Sequence, residues 1–167
     1  MKKLSLLSMA VLAGALLLAP EARASNDEAE IRDLLARWAK AFQARDLDGV
    51  MAVYASGDQL VAYDIVAPLQ CAGREAYRKN YAEFFAAYEG PIVCEMRDLR
   101  IVAGRDVAFL HCIERIGGTL KGGQKSETWI RATTGLRKIK SKWLFVHDHI
   151  SVPVDFATGT ALLNLKP

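Results

Sequence analysis

The carboxyl group of Asp64 lies near the end of an apolar segment, residues 60–66, in which it is the one charged side chain. The segment predicts a buried strand that would carry Asp64 toward the protein interior. Because an ionised carboxylate is costly to bury alone, such a group either finds hydrogen-bond donors or holds a proton at a raised pKa. An acid with a raised pKa on a rigid strand suits general acid–base chemistry. Asp64 is therefore a candidate catalytic residue; the alternative is a structural carboxylate held by backbone donors.

A second acid, Asp148, lies in the last predicted hairpin, residues 126–152. A three-residue turn over residues 139–141 would pair residues whose numbers sum to 280, so that even-numbered residues share one face. That face carries Asp148 and Thr134 among apolar residues: Ile130, Ala132, Leu136, Leu144, Val146 and Ile150. We expect this face to line a pocket, although a two-residue turn would reverse the assignment. Asp148 would then be a second acid that faces the pocket; the alternative is a structural acid paired with Arg131, Arg97 or a histidine.

The opposite face of this hairpin combines aromatic and basic side chains: Trp129, Arg131, Trp143, Phe145, His147 and His149. Such a mixture is typical of the centre of a protein–protein interface, so we expect a homodimer through this open sheet face. The two histidines alternate along one strand without a third ligand at suitable spacing. We therefore predict neither a metal site nor a cofactor.

Helices are predicted before the long strands. Apolar residues at helical spacing predict a helix over residues 27–44, which Asn26 or Asp27 would cap. Shorter helices are predicted over residues 47–54, capped by Asp46, and 74–88, ended by Gly90-Pro91.

The remaining segments predict a sheet. A strand at residues 59–64 and a turn or short strand at 68–72 precede four long strands at 92–102, 107–116, 126–138 and 143–152. Three helices followed by a strongly twisted antiparallel sheet give an α+β fold class.

Three cysteines, an odd number, are distributed along the chain: Cys71, Cys94 and Cys112. A turn at Gly104-Arg105 would place Cys112 opposite Arg97 and direct the sulfur atoms of Cys94 and Cys112 to opposite faces. We therefore expect no structural disulfide.

The first 24 residues have the pattern of a secretory signal. Lys2 and Lys3 precede an apolar core over residues 4–18, and Ala22-Arg23-Ala24 supplies a small–x–small cleavage pattern. We expect a single mature domain of residues 25–167, found in the periplasm or secreted, and N-terminal sequencing of exported protein tests this. The alternative is an uncleaved membrane anchor, which the short apolar core disfavours.

Cleavage at that point changes the charge balance. It removes Lys2, Lys3, Arg23 and Glu21, so that 22 basic and 19 acidic residues become 19 and 18, and the formal charge falls from +3 to +1. A nearly neutral domain gives no electrostatic reason to expect binding to nucleic acid or, after signal cleavage, to a membrane.

The sequence resembles the SnoaL-like or ketosteroid-isomerase-like branch of the NTF2-like superfamily in three features. These are the nine-residue step from Asp64 to Gly73-Arg74, the order of elements, and the closing segment 143–153 with His147-Asp148-His149. The resemblance covers essentially all of residues 25–167. It implies a cone-shaped α+β barrel, usually dimeric, with three N-terminal helices on a strongly curved antiparallel sheet and a deep apolar pocket. It implies no single activity, because such folds host isomerases, cyclases, dehydratases, hydrolases and non-catalytic domains.

Carried over residue by residue, the resemblance places Asp64 where the isomerases keep their base. Trp38 stands where a donor tyrosine would be, and Thr134 where a protonated aspartic acid would be. Because both usual oxyanion donors are lost, the chain is not expected to isomerise steroids. Asp148 resembles an acid–base aspartate of polyketide-cyclase members.

We therefore expect an exported pocket protein that binds a small apolar organic molecule. Asp64 and Asp148 are its candidate catalytic residues for isomerase- or cyclase-type proton transfer without a cofactor. The candidate substrate-binding residues are Trp38, Tyr54, Tyr63, Ile130, Thr134, Val146 and Ile150. The alternative is a non-catalytic ligand-binding or dimerisation domain in which the two acids are structurally paired.

Overall fold

The computed structural model describes residues 20–167, with side chains from residue 26 onward. The helices are α1 (Pro20–Gln43), α2 (Leu47–Met51) and α3 (Arg74–Ala86), with a short 3-10 helix at Gly57–Gln59. The strands of the main sheet are β1 (Val61–Tyr63), β2 (Cys71–Ala72), β3 (Tyr88–Ala103), β4 (Val107–Leu120), β5 (Lys125–Ile139) and β6 (Lys142–Ser151). A separate two-stranded ribbon follows, formed by β7 (Val154–Asp155) and β8 (Thr160–Ala161).

The main sheet has the order β2-β1-β6-β5-β4-β3. All neighbours are antiparallel except β1 and β6, which run parallel. The predicted α+β class with three helices on a curved sheet is confirmed, with two corrections. The sheet is mixed because the long connection through α3 and β3–β5 lets β1 pair parallel to β6. In the described residues it stays open rather than closing into a barrel.

Helix α1 supplies the largest helical contribution to the core through Ile31, Leu34, Trp38 and Phe42. It begins before the predicted cap, so Asp27 lies within the helix. Asp27 is buried and accepts hydrogen bonds from Trp143 Nε1 at 3.2 Å and from Lys138 Nζ. Asp27 therefore joins α1 to the β5–β6 hairpin and does not cap the helix.

The short helix α2 has the predicted cap. Asp46 has an extended backbone, and its side chain accepts a hydrogen bond from the Gly49 backbone N–H at 3.0 Å. A Cβ atom on Gly49 would lie 2.4 Å from Asp46 Oδ2, so the cap requires glycine at this position.

The β5–β6 hairpin differs from the predicted register. Its turn has two residues, Lys140 and Ser141, both with positive φ, as a type I′ turn requires. A register shift between Gly135 and Leu136 then offsets the strands by one further residue. The prediction that even-numbered residues lie on the inner face therefore holds beyond this bulge. It fails for β6 between the bulge and the turn.

This local change of register places four side chains on the face opposite to the predicted one. Trp143 and Phe145 were predicted on the open face but are buried in the core. Leu144 and Val146 were predicted on the inner face but are only partly buried and lie outside the main cavity. Beyond the bulge, Thr134 pairs with Asp148 and Ala132 with Ile150, which keeps all four on the inner face as predicted.

The β3–β4 pair also carries register shifts. One lies between Arg97 and Arg100, and Cys94 pairs with Ile116. Cys94 Sγ and Cys112 consequently lie on the same inner face beside Glu114, so their predicted placement on opposite faces is wrong. The three cysteines carry free thiols.

Helix α3 ends at Ala86, and Gly90 and Pro91 lie inside β3 instead of ending the helix. β3 is an edge strand with a register shift between Glu89 and Val93. A proline is tolerated there because an edge strand leaves some backbone N–H groups unused.

Residues 1–19, with the apolar core of the predicted export signal, lie outside the described residues, and the predicted cleavage point after Ala24 falls within α1. Within the described part, no helix is both long enough and apolar enough to cross a membrane.

We predict that Asp27→Ala destabilises the fold by about 1–3 kcal/mol, because the buried Trp143 indole N–H loses its acceptor. Denaturant unfolding measures the change. Asp33→Ala, on the exposed side of the same helix, is the control and should stay within about 0.5 kcal/mol of the unmodified chain. Equal stability of the two variants would contradict a structural role for Asp27.

Candidate functional site

A cavity of about 450 Å³ lies between the helices and the inner face of the sheet. Helices α1 and α3 cover it, and β3 to β6 form its floor. Its wall is rich in aromatic rings: Trp38, Phe42, Tyr54, Tyr77, Tyr81, Phe84, Tyr88 and Phe145. An apolar cavity of this size with a few polar groups is typical of a small-molecule site.

The rings form a connected cluster. Phe42 stacks on Trp38 and Phe84, with ring centroids 5.0 Å and 5.6 Å apart. Tyr54 packs edge-on against Tyr77 at 5.4 Å. Such pairs add stability beyond their buried area and hold the cavity wall in one arrangement.

Asp148 lies on the cavity floor with its carboxyl group held by three hydroxyl groups. Tyr54 Oη donates to Oδ2 at 2.6 Å and Tyr77 Oη donates to the same oxygen at 3.3 Å. Thr134 Oγ1 donates to Oδ1 at 2.7 Å. The Tyr81 hydroxyl lies 2.8 Å from that of Tyr54, so a chain of hydroxyls extends from the acid into the aromatic wall.

Burial raises the pKa of Asp148 to about 6. The hydrogen bonds from Tyr54, Thr134 and Tyr77 favour the ionised form and reduce this shift without cancelling it. The same surroundings raise the pKa values of Tyr54 and Tyr77 well above the usual phenol value, so both phenols remain hydrogen-bond donors at physiological pH.

Glu114, on β4, is a third acid in this region and was not among the predicted site residues. It is 3% exposed and lines the cavity. Within the described residues, its one side-chain hydrogen bond comes from Cys94 Sγ to Oε1 at 3.0 Å, and a thiol is a weak donor. Burial raises the pKa of Glu114 to about 7, and the negative charge of Asp148 acts in the same direction.

Asp64 follows β1 and lines the outer part of the cavity, beside the exposed residues Ile65 and Val66. It is half-buried. The backbone N–H of Ile65 donates to Oδ1 at 2.6 Å, and Asn80 Nδ2 donates to Oδ2 at 3.1 Å. Burial raises the pKa of Asp64, and these hydrogen bonds oppose the increase.

The indole of Trp38 places a polar atom in the apolar wall. Its Nε1 is buried and makes no hydrogen bond of acceptable geometry with the residues that the structure describes. It lies close enough to the Tyr81 hydroxyl to lower the pKa of that phenol, although burial raises that pKa overall. A buried donor without an acceptor is costly, so a ligand acceptor beside Trp38 would be favoured.

The structure brings most of the predicted site residues to this cavity: Asp64, Asp148, Trp38, Tyr54, Ile130, Thr134 and Ile150. Tyr63 and Val146 do not line it. Tyr63 is 40% exposed and packs edge-on against His147 on the other face, because side chains alternate along β1. Val146 is displaced by the hairpin register described above.

Sequence reasoning missed Glu114, Tyr77 and Tyr81 as site residues. Tyr77 and Tyr81 lie in the helix predicted over residues 74–88, and their hydroxyls belong to the Asp148 network. Alternation along β4 could have indicated Glu114, since it shares parity with Leu110 and Cys112.

No lysine, arginine or histidine lines the cavity within the described residues. The described part also contains no group of three or more residues suited to hold a metal ion. The site combines an aromatic wall, phenol donors and acids that titrate near neutral pH. Such acids can accept or release a proton from a bound molecule at physiological pH.

Comparison with known proteins relates this geometry to a family. The chain matches the model of the SnoaL-like domain over residues 31–155. It is similar to an NTF2-like protein of unknown function from Pseudomonas putida KT2440, with 36% identity and a TM-score of 0.77 over 86% of this chain and 98% of the other. The chain matches no curated protein.

Two more distant solved structures share the fold. One is a proposed dehydratase of the NTF2-like family from Streptomyces avermitilis, with 16% identity and a TM-score of 0.70 over 79% of this chain and 99% of the other. The second is a proposed aromatic ring hydroxylase from Novosphingobium aromaticivorans, with 18% identity and a TM-score of 0.67 over 76% of this chain and 89% of the other. At these identities the similarity shows the fold alone.

We predict that the Glu114→Gln variant gains stability relative to the unmodified chain as the pH rises from about 4.5 to about 8. The native state holds the Glu114 proton up to about pH 7, whereas an unfolded chain releases it near 4.5. Protonation therefore stabilises the fold fully at low pH, and this contribution is lost as the pH rises through 7. Glutamine stays neutral throughout, so melting temperature against pH measures the difference.

The control for this measurement is Glu127→Gln. Glu127 is exposed, and hydrogen bonds from Arg115 and Lys166 lower its pKa. Its contribution is present at neutral pH and lost as the pH falls, so the difference from the unmodified chain should run in the opposite direction. Parallel melting curves for Glu114→Gln and the unmodified chain would contradict the raised pKa of Glu114.

Proposed function

Because the chain belongs to the SnoaL-like family of the NTF2-like superfamily, we propose that it binds a small apolar organic molecule in its cavity and exchanges a proton with it. One observation carries this proposal: two fully buried acids, Asp148 and Glu114, line an aromatic cavity and have no cationic partner among the described residues. Acids in such surroundings have pKa values suited to general acid–base catalysis at physiological pH.

The two acids differ in the hydrogen-bond donors that hold their carboxyl groups. Asp148 is held by three hydroxyl donors, which keep its carboxyl group in one orientation. Among the described side chains, Glu114 has only a thiol donor, so it retains more capacity to accept a proton. We assign the proton transfer to Glu114 and Asp148, the two acids that line the cavity floor.

Asp64 has a different role in this proposal. It was the leading candidate base from sequence, but its carboxylate is half-buried and held by the Ile65 N–H and by Asn80. A residue at this position contacts a ligand as it enters. Trp38, Ile130, Thr134 and Ile150 complete the contacts of the proposed ligand.

A non-catalytic binding domain is the second candidate function. The observation that favours it is the Asp148 network, in which both carboxyl oxygens already have donors. A satisfied network of this kind can serve to fix the fold, with no chemistry at the acid.

Assembly and export remain proposals. The open sheet face presents Phe109 at 46% and Val102 at 54% exposure, beside the exposed Arg131 and His149. A second copy of the chain would cover these apolar side chains. Export through the segment of residues 1–24 would place this protein in the periplasm or outside the cell.

We predict that Phe109→Glu converts a dimer into a monomer at micromolar concentration, because a charge would be buried at the proposed interface. Sedimentation velocity measures the assembly state. Leu69→Glu is the control, since Leu69 is 95% exposed and lies outside the open sheet face. A monomeric unmodified chain, or a dimer that persists in Phe109→Glu, would contradict assembly through this face.

We predict that the protein accelerates exchange of the protons beside the carbonyl group of 1-tetralone, an apolar ketone, for deuterium from heavy water. Glu114→Gln and Asp148→Asn should each lower the accelerated rate by roughly 100-fold, since each removes a proton-transfer group. Asp64→Asn should lower it far less, and the exposed Glu127→Gln should leave it unchanged. Proton NMR follows the exchange, and circular dichroism confirms folding.

Two outcomes would contradict the assignment. Exchange no faster than in buffer would favour the non-catalytic binding domain. Loss of exchange in Asp64→Asn, with full activity in the other two variants, would return the base to Asp64.

A further inference from the structure

We propose that the ligand of the cavity is an organic cation: an apolar, partly aromatic molecule that carries an ammonium or similar positively charged group. This inference rests on the proposed binding function and specifies the class of molecule bound. It follows from the charges of the cavity, from the position of the protein's own cations and from the aromatic wall.

The cavity contains two acids that no cation among the described residues pairs with. Buried acids are normally paired with a cation or a metal, because isolated burial is costly. Asp148 and Glu114 are 4% and 3% exposed, and their partners are hydroxyls and a thiol. In the described residues that line the cavity, no side chain carries a positive charge.

Two arginines on the strands that carry Glu114 and its thiol donor, β4 and β3, have other partners. Arg97 and Arg115 lie over the Trp129 ring on the outer face, with guanidinium carbons 4.7 Å and 5.9 Å from the ring centre. Arg115 also bonds to Glu95 and Glu127. The sheet thus separates these cations from the buried acids, and a charged ligand would supply the missing partner.

The aromatic wall suits a cation as well as an apolar body. Ring faces attract an ammonium group within about 6 Å, most strongly for tryptophan and tyrosine. Trp38, Tyr54 and Tyr81 lie on the helical side of the cavity, and Glu114 and Asp148 lie on the sheet side. A cation between these sides would contact both rings and acids.

The outer part of the cavity and the Trp38 indole indicate the same class of ligand. Asp64 and the exposed Glu83 are the ionisable residues at its outer part, so the approach is also acidic. The buried Trp38 indole N–H, which has no hydrogen-bond acceptor within the described part of the chain, marks a place for a neutral oxygen of the ligand. Acidic residues along an approach raise the local concentration of cations.

Cation binding should depend on pH. A bound cation favours the ionised acids, so its affinity should rise as the pH increases through the pKa values of Asp148, about 6, and Glu114, about 7. The other titratable groups around these acids are Tyr54, Tyr77, Tyr81, Cys94, Cys112, Asp64 and His147. Burial raises the pKa values of the phenols and of the two thiols, so these groups stay neutral in this range.

Two probes of the same shape test the inference. Benzyltrimethylammonium carries a permanent charge, and neopentylbenzene replaces its nitrogen with carbon. Binding to the purified protein is measured by tryptophan fluorescence and by calorimetry from about pH 5 to about pH 8. The cation should bind at least about tenfold more tightly than the neutral probe at the upper pH, and its affinity should fall on acidification.

Variants distinguish the effect of the Glu114 charge on binding from the effect of the cavity's shape. Glu114→Gln should lower the affinity for the cation by roughly tenfold at the upper pH and leave that for neopentylbenzene unchanged. Glu127→Gln, on the surface, should change neither. Circular dichroism and melting temperature verify that each variant folds.

Each outcome has one meaning. Preference for the cation, with the stated pH dependence, supports the inference. Equal or tighter binding of neopentylbenzene would overturn it and leave the proposed apolar pocket intact. Failure of both probes to bind would overturn the inference and count against the proposed binding function.

Discussion

The hydrogen bonds to the Asp148 carboxyl group are the interaction on which the rest of the structure depends. Tyr54 lies after α2, Tyr77 on α3 and Thr134 on β5, so a single buried acid on β6 ties the helical layer to the sheet. These hydroxyls are neutral, and they orient the acid without neutralising it. The same contacts that stabilise the fold therefore leave an acid with a raised pKa beside the cavity.

The cavity follows from this arrangement. Aromatic rings from α1 and α3 cover the curved inner face of the sheet without filling the space between the two layers, and a cavity of about 450 Å³ remains. Glu114 places a second acid in the wall of this cavity, while Arg97 and Arg115 lie on the other side of the sheet. The separation of charge across one sheet is the basis for both the proposed proton transfer and the proposed cationic ligand.

Much of this could be predicted from sequence where local periodicity decides the outcome. The helices, the long strands and the inward position of Asp148 follow from apolar spacing and strand alternation. The errors occur where one extra residue changes the strand register. The bulge at Gly135 changes the face on which Val146 and Phe145 lie, and the shift after Arg97 changes the face on which Cys94 lies. Alternation cannot reveal a bulge, because the extra residue is stabilised by packing between strands. Glu114 was missed because an acid on a long strand is usually solvent-exposed.

The most direct measurement is the titration of the individual carboxyl groups by carbon-13 NMR, with signals assigned through the Asp148→Asn and Glu114→Gln variants. We predict that Asp148 titrates near pH 6 and Glu114 near pH 7. We also predict that Asp148→Asn lowers the pKa of Glu114, since the negative charge of Asp148 opposes ionisation of Glu114. Titration of both groups below about pH 4.5 would contradict an uncompensated acidic cavity and, with it, the proposed chemistry.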